Sequence, residues 1–166
     1  MSRFAQLATL SLMLLSAGCQ HDNKHSDGAL EIRAADVVEH KKWTKTSEVV
    51  GGSRVWMAPK AAIDQSMVQH ARAVRDRDGN DVVLVTLDSR GRAAMEHLCT
   101  EQESRPVAVL VDGKIVAVPV LIGRLDGEFV VGNPEWTEKD ARDFADRLNE
   151  NHEKRPRKSE DVAMNF

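Results

Sequence analysis

Asp126 and Glu128 stand on either side of Gly127, and a carboxylate pair is the minimal equipment for acid–base catalysis, one group giving a proton while the other takes one. In a glycine-marked turn, solvated charge is the ordinary outcome, so the pair is read as turn residues. His21, Asp22 and His25 are close together, and imidazoles bind zinc or copper, but the surrounding stretch is polar and linker-like and the expectation is solvated side chains. Cys99 lies in Met95-Glu96-His97-Leu98-Cys99, where Met95, Leu98, Cys99 and Gln102 share a helical face. A small buried hydrophobe is expected there, because a reactive thiol needs a neighbouring base. The chain has no His-Glu-x-x-His, Gly-x-Ser-x-Gly, Cys-x-x-Cys or phosphate-cradling glycine loop. The expectation is a protein that binds and does not catalyse, with no catalytic residue, cofactor, metal or small-molecule substrate.

The residue whose surroundings do imply chemistry is Cys19. Arg3 supplies a positive start, Phe4 to Leu15 an apolar run, and Ser16-Ala17-Gly18 the small residues that precede a cleavage site. The run is short for a helix that must cross about 30 Å of hydrocarbon, and residues 1–18 are read as a signal peptide. Ending on Cys19, the segment looks like a bacterial lipoprotein signal, in which the cysteine sulfur takes a diacylglyceryl group and becomes the new N-terminus. Leu15 stands one position further from the cysteine than such signals usually place it. A plain secretory signal and an uncleaved N-terminal anchor are the alternatives. Several acyl chains, at about 0.8 kcal/mol per buried methylene, would hold the protein on a membrane. Gln20 follows the cysteine in place of the aspartate that retains many such lipoproteins at the inner membrane, which favours the outer membrane in a two-membrane bacterium. A lipidated Cys19 leaves Cys99 as the only thiol and rules out an internal disulfide.

The 166 residues are 42% hydrophobic, 30% charged and 4% aromatic, with no tyrosine and a net charge of -3. That is material for one core, without the basic field of a nucleic-acid binder or the aromatic platform that stacks bases. The plainest element is Val107-Ala108-Val109-Leu110-Val111, nearly unbroken in apolar character and followed by Asp112-Gly113. It reads as a strand buried on both faces, turning tightly into a partner that runs towards Pro119 and Val120. Residues 19–52 are read as a tether with a weakly alternating edge strand over 29–38, broken off by Gly51-Gly52; residues 53–150 form the domain; residues 151–166 are a disordered tail. The tail carries Lys154-Arg155-Pro156-Arg157-Lys158, a solvated run or a contact with anionic lipid or wall polymer.

Within the domain, Arg54 to Met57 reads as a strand. Ile63, Met67, Ala71 and Val74 recur at helical spacing, and the expectation is a short helix ending near His70, then Ala71 to Arg75 in a hairpin with Val82 to Leu87. Asp88 or Ser89 caps a helix through about Gln102. Glu128 to Val131 is one more strand. Thr137 with Asp140 resembles a capping box before the stripe Ala141, Phe144, Ala145 and Leu148. The fold class is therefore α+β, a mostly antiparallel sheet of about five to six strands with two to three helices packed on it.

Taken together, the Pro-Val-Ala-Val-Leu-Val-Asp-Gly-Lys strand, Ala117-Val118-Pro119, a glycine-bounded strand and Trp136-Thr137-Glu138-Lys139-Asp140-Ala141 resemble the extracytoplasmic head subdomain of SecD and SecDF, membrane components that assist export through the Sec channel. The resemblance covers roughly residues 54–149. Cys99 stands where that family commonly has threonine, Ser104 where it has glycine, and Val118 where it has alanine. It implies a head-like fold, no catalytic residue, no proton-coupled transport of its own, and partners among exported polypeptides or Sec-associated proteins. Val118, Val120, Leu121 and Leu125 form the expected partner surface, because they carry apolar character past Pro119, which cannot donate to a neighbouring strand. An envelope-interaction or structural lipoprotein that reuses the fold for an unrelated partner is the second reading.

Overall fold

The computed structural model describes residues 30–153; the signal segment, Cys19, most of the tether and residues 154–166 lie outside the described residues. In chain order the elements are β1 (Leu30–Asp36), β2 (Thr44–Val50), β3 (Ser53–Met57), β4 (Ile63–Asp64), a 3-10 turn (Gln65–Met67), β5 (Val68–Arg75), β6 (Asp81–Leu87), α1 (Ser89–Glu101), β7 (Val107–Val111), β8 (Lys114–Ala117), β9 (Glu128–Val131) and α2 (Glu138–Glu153). They form a six-stranded sheet in the order β2-β3-β1-β7-β8, with β4 also on β1, and a three-stranded sheet β5-β6-β9. Every strand pairing is antiparallel. The α+β class expected from the sequence is the one observed.

All five residues of β7 are buried. Val107, Val109 and Val111 enter the main core with Leu30, Ile32, Val83, Val85, Leu98, Phe144 and Leu148, while Ala108 and Leu110 join Ala35 and Val55 in a smaller cluster on the other face. A strand with both faces covered has no reason to alternate. Asp112 and Gly113 have φ of 50° and 74°, the two positive values that a two-residue hairpin turn between right-twisted strands requires.

Three expectations change. The strand over 29–38 is an inner strand: β1 pairs with β7 along Leu30↔Val111 to Ala34↔Val107 and with β3 and β4 on its other side. The weak alternation suggested an edge, but the polar members Glu31 and Arg33 pair with each other at 2.5 Å, and Arg33 also donates to the Pro59 carbonyl. Gly51-Gly52 is the turn of the β2–β3 hairpin, with φ of 57° and 82°, so strands from both sides of Ser53 share one sheet. The polar composition of β2 follows from its place at the sheet's outer edge. Thirdly, the helix expected to end near His70 is replaced by β4, the 3-10 turn and β5. A bulge between Val68 and His70 puts Val68 and Ala71, three apart, both inside, and so imitates helical spacing within a strand.

The helices follow their caps. Asp88 accepts from the Gly91 N–H at the start of α1, and Met95, Leu98 and Cys99 are buried. At α2 the Thr137 N–H donates to Asp140 at 2.8 Å while the Asp140 N–H donates back to Thr137 at 3.3 Å, the reciprocal box that satisfies two first-turn donors. Those bonds from Thr137 hold the Asp140 carboxyl below its ordinary pKa. Ala141, Phe144, Ala145 and Leu148 are buried as expected, and α2 continues past residue 150 to Glu153.

Candidate partner-binding edge

Beyond Ala117 the chain of β8 continues to pair with the residues that lead into β7. The Val107 N–H donates to the Pro119 carbonyl at 2.9 Å, the Leu121 N–H donates to the Arg105 carbonyl at 3.0 Å, and the Leu121 carbonyl accepts from Ser104 at 3.0 Å. Pro106 bridges Val120 between them. Since residues of an antiparallel strand direct their backbone groups alternately to the two sides, Pro119 and Leu121 face inward. Val118 and Val120 turn their N–H and C=O groups outward. No strand pairs with that side among the described residues.

Proline at an edge usually protects it by removing an outward donor. Here the missing donor of Pro119 faces the inner neighbour Val107, so the outer side keeps its full set of backbone groups. The apolar side chains beside it are exposed: Val120 is 41% exposed and Ile122 86%. Val37 and Val38 are exposed as well and lie at the same end of the sheet, because Ala35 donates to the Pro106 carbonyl.

Of the four residues expected to form the partner surface, the structure keeps only Val120 fully at the surface. Leu121 is buried in the main core, Leu125 is half-buried against that core, and Val118 packs on the smaller cluster. The correction has a simple cause: successive side chains of a strand point to opposite faces, so a continuous apolar run cannot present all its members to one partner. Ile122, the most exposed large hydrophobe among the described residues, was the residue to add, and its signal was alternation with the buried Leu121.

The end of this edge is held by charge. Asp36, 9% exposed, accepts from His40 at 2.9 Å and from the Val38 N–H at 3.1 Å, and lies 3.7 Å from the Arg105 guanidinium. Burial raises its pKa, but the bonds from His40 and the Val38 amide outweigh burial and hold the carboxyl below its ordinary value. Trp43 stacks on His40 with ring centroids 4.3 Å apart. Close by, Gln102 is 6% exposed, and its Oε1 has no hydrogen-bond partner among the described residues.

The other residues with candidate chemistry do not converge. Asp126 and Glu128 are exposed, and Glu128 accepts from the Thr86 hydroxyl at 3.1 Å. Cys99 is buried without a disulfide, inside the main core. No group of three or more His, Cys, Asp or Glu side chains able to hold a metal occurs among the described residues. An open recess of about 250 Å³ is lined by Arg75, Asp81, Glu138 and Arg142, whose charges are paired as Arg75 with Asp81 and Arg142 with Glu138. No helix among the described residues is long and apolar enough to cross a membrane.

Comparison with known proteins agrees on one architecture. The family model of the SecDF P1 head subdomain matches residues 41–151. The crystal structure of SecDF in its super-membrane-facing form superposes with a TM-score of 0.58 at 18% identity, covering 74% of this chain and 18% of that one. The structure of SecDF described as a membrane component that enhances protein export gives 0.57 at 18% identity, with 74% of this chain and 62% of that one covered. The chain thus spans less than two thirds of the length of either. No curated protein matches by sequence. With the family's model matched over most of the chain and the same fold in both SecDF structures, the chain belongs to the family of the SecDF P1 head subdomain.

Proposed function

We propose that this protein is a lipid-anchored, extracytoplasmic binding module of the cell envelope, held through Cys19, that takes extended exported polypeptides or Sec-associated segments as an added strand along residues 118–122. It carries no proton-coupled transport and no catalysis of its own. The observation that carries this reading is the pair of outward-facing backbone positions, Val118 and Val120, beside the exposed Val120 and Ile122 side chains. Main-chain pairing supplies affinity without regard to client sequence, and the flanking apolar side chains favour chains that are not yet folded. The membership in a SecDF head family, and the description of a structural neighbour as enhancing protein export, support that class of partner.

A photoreactive side chain placed at Ile122 in cells tests it. Adducts with many exported proteins are expected. A single discrete adduct would favour the envelope-interaction reading, and no adduct from a folded protein removes this edge from consideration. The anchor is tested separately: a fatty-acid analogue should label the wild type and leave Cys19→Ser unlabelled and unprocessed. A soluble, unlabelled wild type would overturn the lipoprotein reading.

A further inference from the structure

The strand that carries the open edge has two unlike faces. Residues opposite one another in an antiparallel pair direct their side chains to the same face. Pro106 lies opposite Val120, so Val120 shares the face of Ala108 and Leu110, where Val118 packs on the smaller cluster. Ala117 lies opposite Val109 and so shares, with the buried Leu121, the face of the main core. The β2–β3 hairpin covers the smaller cluster: its Val50, Val55 and Met57 pack with Ala108 and Leu110, although β1 separates β3 from β7 in the sheet. That cover ends before the edge. Leu110 beneath it is 4% exposed, Val120 is 41% exposed and Ile122, next on the same face by alternation, is 86% exposed. On the main-core face the edge brings no large hydrophobe to the surface: Ala117 and Pro119 are exposed there and Leu121 is buried.

The geometry points to a rule for which chains this edge takes: segments whose apolar residues recur at every second position with polar residues between them, as in the half-buried strands of proteins that have not yet folded. The inference rests on the strand-addition reading above and gives it a substrate class. Outward backbone groups at Val118 and Val120 pair with any extended chain, but that chain must place its side chains alternately on the two faces. Those opposite Val118, Val120 and Ile122 extend the apolar layer of the smaller cluster and shield the side chains that its cover leaves in water. Those in between fall beside the exposed Ala117 and Pro119 and stay in solvent, where a polar group keeps its hydration and an apolar one gains little. Because the side-chain period is two, a slip of one residue exchanges the two faces, so the same pattern that selects the chain also sets its register. A segment with apolar residues at helical spacing puts some of them on the solvent face, and a wholly polar one leaves the layer uncovered.

The test uses the full chain with a photoreactive side chain at Ile122 or at Ala117, and two peptides of the same length and composition. One alternates valine with serine and aspartate; the other carries its valines at the spacing i, i+3, i+4. The alternating peptide should compete for adduct formation at concentrations about tenfold lower, since each valine on the covered face leaves water. Mapped by mass spectrometry, its adducts with position 122 should fall on the valines and those with position 117 on the serines and aspartates. Equal competition by the two peptides, or adducts from both positions on the same residues, overturns the pattern rule; if Val120→Lys still abolishes those adducts, strand addition itself stands. Adducts with neither peptide from a folded protein, or adducts that ignore Val120→Lys, overturn strand addition and the rule with it. Adducts that join two copies of the protein in place of the peptide overturn the rule as well, because the layer is then closed by the chain itself.

Discussion

The β5 edge of the small sheet and the 118–122 edge of the large one begin with the same liability, a row of backbone groups without a strand beside them, and the protein treats them differently. At β5 the Asn149 side chain reaches from α2 and occupies both groups of Ala71, accepting from its N–H and donating to its C=O at 2.9 Å each. One carboxamide thus stands in for a neighbouring strand. At 118–122 no side chain does so among the described residues: the proline faces inward, the outward groups have no partner there, and exposed apolar side chains flank them. An unprotected, apolar edge is an aggregation hazard that natural proteins ordinarily blunt. An edge left open among the described residues, in a chain that covers another one with a helix, is what the proposed strand addition requires.

The comparison can be broken from its shared support outward. Both sheets meet in one core containing Val109, so Val109→Asp should bury a carboxylate without a counter-charge, cost about 3–5 kcal/mol, and appear as a large drop in denaturant midpoint. Next in size, Asn149→Ala leaves the N–H and C=O of a buried Ala71 unpaired and should cost about 1–3 kcal/mol. It should also raise concentration-dependent self-association measured by sedimentation, because a second edge is then open. If association stays unchanged, the seal at β5 is not what distinguishes the two edges.

The charged end of the open edge makes a smaller contribution. Because Asp36 has its carboxyl held below the ordinary value in the folded protein, its stabilisation is fully present above about pH 4 and is lost as the pH falls through the folded-state pKa. Asp36→Asn should therefore flatten the decline of stability as the pH falls below about 4, read from denaturant midpoints at each pH. A decline of the same steepness in the variant would assign the acid sensitivity elsewhere. The smallest effect on stability is expected at the edge itself. Val120→Lys, at an exposed position, should shift stability by less than about 0.5 kcal/mol, yet suppress photo-adducts from Ile122, since lysine on an edge opposes strand addition. Unchanged adducts would mean that clients are held by something other than pairing along 118–122.

Fold and edge were legible in the sequence to different depths, and the division follows the range of the forces involved. The sequence by itself determined the elements whose causes are local. Five consecutive apolar residues at Val107–Val111 demanded cover on both faces, Asp112-Gly113 supplied two positive φ values, and Thr137 with Asp140 closed a capping box over an apolar stripe. Only the tertiary structure decided the rest. It made 30–36 an inner strand by placing β7 and β3 on either side, and divided a helical spacing at 63–74 among β4, a 3-10 turn and the bulged strand β5 by pairing Ile63 with β1 and Val68–Arg75 with β6. It sent Leu121 inward and Ile122 outward, and brought Asn149 to Ala71 across 78 residues of chain. Each of those outcomes depends on a partner far away in sequence, and periodicity, which records only which neighbours along the chain share a face, carries no information about which distant strand will meet it.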